Sequence, residues 1–477
     1  MVFSSLFFVF VFLFANLLTQ ALVTDLKKKN IVMLCFSLVF YAWGGVRYVP
    51  LLLGMTAICW FFALRIQSAQ SAGRGSGKGD LIACIVLQLV ILGIFKYTGF
   101  FLRNVQIVTG VPKEIPNIVL PIGISFYTFQ LMSYVVDVYR GDTDAQPKYW
   151  LLLLYASLFH QCIAGPIVRY RDVENDILHR RVKMAEVSRG VTRFAVGLAK
   201  KAILANGCAA VADQFFDVGA ETLAGVPAMG ILLAAFAFTL QIYLDFSAYS
   251  DMAIGMGLMC GFHYKENFNY PYTADSITDF WRRWHISLST FFRDYVYIPL
   301  GGNRCARSRH IFNMLVVWAL TGMWHGASWN YILWGLFYFV FLVLEKYLIP
   351  VDRIPKAVRR VLTLVIVLFG WVLFKFENMS LLGTALKGMF GLNGNAFYLR
   401  FDWLQLQNNI FFLIAAGIAC TPLMSKLGNL LKNLSRNSKG GLIAYGVMDV
   451  AVPLVLMVLS TMALAGNSYN PFLYFQF

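Results

Sequence analysis

Stretch after stretch of this chain is apolar for long enough to enter or cross a bilayer, and that decides its solvent first. Spanning ~30 Å of hydrocarbon takes roughly 20 apolar residues as a helix, because a helix satisfies its backbone polar groups within its own segment. Apolar cores fall at 2–23, 31–43, 49–64, 81–95, 118–136, 150–167, 229–260, 311–324, 329–348, 361–374, 410–423 and 442–465. Several are short or interrupted, as by Pro121, Gly123 and Gly165. The expectation is an all-α polytopic membrane protein, one integral-membrane domain over 1–477, with about ten to twelve transmembrane or re-entrant helices. Composition agrees: a chain that is 59% hydrophobic and 13% charged cannot hide its apolar surface in a water-soluble core.

The first apolar run carries no basic residue ahead of it and is long enough for a full crossing, which argues against a cleaved signal peptide. Lys27, Lys28 and Lys29 follow it, so the positive-inside rule places the amino terminus outside and the first loop in the cytoplasm. Arg65, Arg74 and Lys78 agree. Strict alternation fails after 150–167, where Arg169, Arg171, Arg180, Arg181, Lys183, Arg189, Arg193, Lys200 and Lys201 crowd a segment that parity would put outside. Charge is the stronger signal, so this segment is expected on the cytoplasmic side, with either one span re-entrant or a hairpin that returns.

The net charge of +16 is concentrated there, in 282–309 and at Arg353, Lys356, Arg359 and Arg360. Topology and anionic lipid explain most of it, and a phosphate-bearing cytosolic substrate is the sharper alternative. Without a soluble basic domain, a nucleic-acid partner is not expected. The eight cysteines contain no Cys-x-x-Cys pair and sit mostly in apolar stretches, so neither a disulfide framework nor thiol chemistry is expected. Gly73-Arg-Gly-Ser-Gly-Lys-Gly79 looks like a phosphate loop, but Ala72 replaces its first glycine and Gly79 its Ser or Thr. It reads as a solvated linker.

Two histidines lie in aromatic settings. His285 stands in Asp279-Phe-Trp-Arg-Arg-Trp-His-Ile-Ser-Leu-Ser289, and His325 in Leu320-Thr-Gly-Met-Trp-His-Gly-Ala-Ser-Trp-Asn330. Ser276 with Asp279 forms a capping box, and Asp279 can pair with Arg283, so a helix is predicted to start near Ile277. Continued as one helix, it lines up Trp281, Trp284, His285, Leu288 and Phe292 on an aromatic face, with Arg282, Ser289 and Arg293 on another. Taken alone, His285 is either a reactive group turned inward or part of an interfacial anchor bonded to a backbone carbonyl. His325, following Trp324 between Gly322 and Gly326, favours a shared site.

Imidazole exchanges a proton near neutral pH and is rare at membrane depth unless needed. The pair lacks metal-ligand spacing and nearby thiol or carboxylate ligands, so no metal is expected. No Gly-x-Ser-x-Gly elbow points to a serine hydrolase. General-base transfer fits: one imidazole takes the proton of an acceptor hydroxyl that attacks a thioester, and the other orients the acceptor or stabilises the oxyanion. Trp281, Trp284, Trp324, Asn330, Asp245, Tyr249 and Arg293 are candidate substrate contacts. In Asp245-Phe-Ser-Ala-Tyr-Ser-Asp251 the polar groups either meet substrate or form a network that fixes helix packing.

The segments 245–255, 267–272, 279–289, 292–304 and 323–327 together resemble the membrane-bound O-acyltransferases, and within them the alginate O-acetyltransferase (AlgI-like) branch. The likeness includes the opening Met1-Val-Phe-Ser-Ser5, 159–170 and the closing 471–477. His160 stands where that pattern has proline, which adds a polar group. The resemblance implies a helical bundle around a central funnel, with the catalytic segment at about 229–349, His325 as catalytic histidine and His285 as the second. It further implies an acetyl-CoA or other thioester donor with no bound cofactor, a cytoplasmic (inner) membrane location, and an acceptor reached from the other face. A separate extracytoplasmic SGNH-hydrolase-like partner and a cell-surface polysaccharide are the expected clients. D-alanyl transfer to teichoic acid, lipid acylation, and a transporter coupled through Asp245 and Asp251 are the competing readings.

Overall fold

The structure is a computed structural model that describes residues 1–111, 114–116, 118–162, 165–436 and 438–466. Part of the 159–170 motif and all of 471–477 lie outside the described residues. No strand occurs among those described.

Six described helices are long and apolar enough to cross a membrane: Val46–Ser71, Lys78–Thr109, Met184–Phe216, Ala228–Cys260, Lys356–Lys375 and Lys439–Ala465. Arg400–Ala419 and Leu423–Ser435 would add a seventh, although a 66° bend separates them. The other expected spans form shorter or more polar helices. Among the described residues, the 150–167 run is helical only over Tyr149–Ser157, and the 118–136 run only from Ile124. These are the broken segments that Pro121, Gly123 and Gly165 foreshadowed.

One expectation is corrected. The basic stretch 183–201, read as an extramembrane segment, lies largely on Met184–Phe216, which qualifies as a crossing helix. Two of its cations obscured the apolar pattern although each is ion-paired: Arg193, partly exposed, donates to Asp251 at 3.0 Å and to Glu266 at 2.6 Å. Lys201 meets Asp245 at 2.8 Å.

The chain divides into two compact units, Met1–Phe194 with Ser250–Glu266, and Ala195–Tyr249 with Asn267–Phe477. Within the first, the Met184–Ala199 and Ala228–Cys260 helices meet backbone to backbone. A Cβ at Gly190 would stand 2.6 Å from the Gly255 carbonyl oxygen, and one at Gly255 would stand 2.7 Å from that of Gly190. Such close approach is how membrane helices gain packing energy without a hydrophobic driving force. Gly190→Ala is therefore expected to destabilise by about 1–3 kcal/mol, the usual cost of overpacking. The check is the thermal midpoint of the detergent-purified protein; an unchanged midpoint would show that the two helices part freely. Also in this unit, His160 Nδ1 lies 3.2 Å from the Tyr264 hydroxyl, and the Cys59 and Cys84 sulfurs approach to 3.6 Å.

Candidate active site

Both histidines belong to the second unit, and local sequence explains how each is held. Ser276 caps the Ile277–Arg283 helix by accepting from the Asp279 amide at 3.0 Å. Glu345 accepts from the Thr278 amide at 2.9 Å, and Asp279 takes Arg283 at 3.0 Å. Start, cap and ion pair are those that the sequence predicts.

The predicted continuous helix is not formed. The first helix ends at Trp284 in extended backbone, His285 adopts a left-handed conformation with φ 44°, and a new helix runs Ile286–Phe292. Trp284 is locked sideways against Trp371 at 4.6 Å and Phe268 at 5.1 Å. Residues 267–269 brace the break from outside the helix: Asn269 N donates to Arg283 O, and Ile286 N to Asn267 O, each at 2.9 Å. Among the described residues, the only non-glycine positions with positive φ are His285 and Tyr270, both in this braced region. A non-glycine residue held there costs roughly 1–3 kcal/mol and persists only when its surroundings over-determine it.

His285 is almost fully buried, with the Phe246 ring edge-on at 4.7 Å and Trp324 at 5.8 Å. Burial pushes its pKa down to about 3, so the ring is neutral. Nδ1 lies 3.2 Å from Asn267 Oδ1. No described residue hydrogen-bonds Nε2, which is buried.

His325 is the last residue of Arg307–His325 and is also buried. Its ring is enclosed by Trp324 at 5.0 Å, Trp334 at 4.9 Å and Phe374 at 5.3 Å. Gly326 follows because a Cβ there would stand 2.2 Å from the Tyr331 ring. Trp324 thus touches both imidazoles, and the two histidines, 40 residues apart in sequence, share one aromatic enclosure.

The other candidates divide. Trp281 packs on Trp318 at 4.7 Å and Trp334 at 5.4 Å, joining the wall around His325. Asn330 is buried and donates to the carbonyls of Phe374 at 3.1 Å and Leu373 at 3.3 Å, which ties Trp329–Tyr347 to the end of Lys356–Lys375. Tyr249 is buried. Asp245 is engaged by Lys201, a pairing that favours the packing-network reading of its motif and weakens the transporter alternative. Arg293 is exposed and engages its neighbour Asp294 at 2.7 Å.

Sequence reasoning missed Asn267, Phe246, Trp334 and Phe374. Asn267 opens the motif Asn267-Phe-Asn-Tyr-Pro-Tyr272, but its partner is 18 residues on, beyond any helical or strand spacing. Among the described residues, no group of three His, Cys, Asp or Glu is placed to hold a metal ion.

The enclosure holds two buried imidazoles, a group suited to moving a proton off a hydroxyl. Residues 146–385 match the sequence profile of MBOAT, the membrane-bound O-acyltransferase family. The whole chain is similar to a probable alginate O-acetylase AlgI of Azotobacter vinelandii, at 36% identity over 100% of both chains. It is 32% identical to a peptidoglycan O-acetyltransferase of Helicobacter pylori, over 100% of this chain and 98% of that one. A teichoic acid D-alanyltransferase of Bacillus subtilis is 26% identical over 67% of this chain and 85% of its own length. The chain belongs to the membrane-bound O-acyltransferase family and is a multi-pass membrane O-acyltransferase.

Proposed function

We propose that this enzyme moves an acetyl group from a cytosolic thioester, acetyl-CoA, toward hydroxyls of an exported cell-surface polysaccharide, from the cytoplasmic (inner) membrane. The observation that carries the reading is that His325 and His285 are both buried and both in contact with the Trp324 ring. His325 is the general base. Its imidazole takes the acceptor's O–H proton as the oxygen attacks the thioester carbonyl carbon. The tetrahedral adduct then expels the thiolate, which recovers that proton to leave as free thiol. His285 serves the acceptor side, and Trp281, Trp284 and Trp324 form apolar walls that exclude water from the reacting carbonyl. Tyr249, Asn330 and Asp245 support these walls, and the surface cations, Arg293 among them, attract the phosphates of the donor. The immediate acceptor is an SGNH-hydrolase-like partner on the outer face, which completes delivery to the polymer.

The full-length similarity to acetylating relatives supports acetyl over other acyl groups. The D-alanyltransferase relative keeps one alternative open, D-alanyl transfer in the same site. Ester-linked acetate on surface polysaccharide should fall to background when the gene is deleted and return on complementation. Unchanged acetate with lost D-alanine esters would replace this reading by the alternative.

A further inference from the structure

The hydrogen bonds around Asn267 fix which nitrogen of His285 carries the proton. Asn267 Oδ1 accepts from the Ser287 backbone N–H at 3.2 Å and from the Ser287 hydroxyl at 2.8 Å. A backbone N–H can only donate, so the side-chain atom at this point is the amide oxygen and not the nitrogen. His285 Nδ1 faces the same oxygen at 3.2 Å and therefore bears a hydrogen. The ring is neutral, so Nε2 holds a lone pair. It is buried and bonded by no described residue, within an imidazole that is 1% exposed.

We infer that Asn267 is a positioning residue that locks His285 in its Nδ1–H tautomer, so that Nε2 acts only as a hydrogen-bond acceptor for the acceptor alcohol. This rests on the acyl-transfer reading and decides what His285 does within it. Of the two reactants, only the alcohol carries an O–H at its reacting atom; a thioester carbonyl and sulfur offer none. A lone pair on Nε2 can therefore orient the alcohol, and it cannot donate to an oxyanion. The left-handed backbone at His285 serves the same end, because it swings the ring out of the helical register and onto Asn267.

The ring state can be read directly by ¹⁵N spectroscopy of the purified full-length protein labelled at histidine, with His285→Asn for assignment. The expected spectrum has a protonated Nδ1 and an unprotonated Nε2. A proton on Nε2 overturns the proposal. Asn267→Leu should lower transfer by about 100-fold, in the range seen when the partner that orients a reactive imidazole is lost. His285→Ala should cost a similar factor, and the double variant should lose no more than either single one. Losses that multiply in the double variant would show that Asn267 acts elsewhere. Asn267→Asp keeps the acceptor oxygen and should retain activity within about 10-fold of wild type, a rescue that a purely packing role would not produce. The tautomer is observed without turnover, so a wild-type protein that transfers no acetate defeats the acyl-transfer reading while the proton's position is judged on its own.

Discussion

His325→Ala is expected to cut acyl transfer by about 10²- to 10⁴-fold at matched protein levels, the range that a positioned general base contributes. The imidazole sits at a helix terminus against Trp324, Trp334 and Phe374, and the alanine variant leaves these walls in place while removing the proton acceptor. Removing a buried ring also leaves a cavity, so His325→Gln, which restores much of the volume but no base, is the necessary control. Both variants should lose transfer alike if proton acceptance matters. Recovery with Gln would make His325 a packing group. The measurement is transfer from labelled acetyl-CoA in reconstituted vesicles, normalised to monodisperse protein. Transfer at wild-type rate by either variant would move the base role to His285 or out of the enclosure altogether.

The parts legible in the sequence were those governed by local rules. Ser276, Asp279 and Arg283 are three or four residues apart, so their bonds follow from helix geometry and were found where predicted. The kinship of His285 and His325 was legible only through their aromatic frames, because tertiary packing brings them to a common Trp324. The break at Trp284 was not legible. Helical periodicity ran cleanly through it, and what overrides it is the clamp of Trp371 and Phe268 on Trp284 together with the bracing segment of residues 267–269, all non-local. The same blindness hid the Met184–Phe216 helix. Hydropathy scores Arg193 and Lys201 as water-seeking, whereas Asp251, Glu266 and Asp245 neutralise them from distant sequence. In a lipid solvent, apolarity marks what faces lipid, and charge inside the protein becomes readable only once its partner is placed.

Breaking the Lys201 to Asp245 pair is expected to be the most destabilising single change, about 3–5 kcal/mol for Lys201→Met, because a buried carboxylate would lose its cationic partner. The two side chains are 1% and 2% exposed and 2.8 Å apart, on two helices that each qualify to cross the membrane. Lys201 reaches its partner from a π-helical turn, Lys200–Ala205, which shifts the side-chain register of its helix. Removing both charges together, as Lys201→Met with Asp245→Leu, should recover most of the lost stability, since apolar replacements of buried ion pairs are often neutral. Thermal midpoints in detergent and steady-state membrane levels both report this. Activity then separates two roles for the pair. If the double variant is stable and transfers acyl groups, the charges serve packing, as the network reading of the 245–251 motif holds. If it is stable and inactive, Asp245 belongs to the substrate path after all. A stable Lys201→Met single variant would show that the buried Asp245 does not depend on this cation.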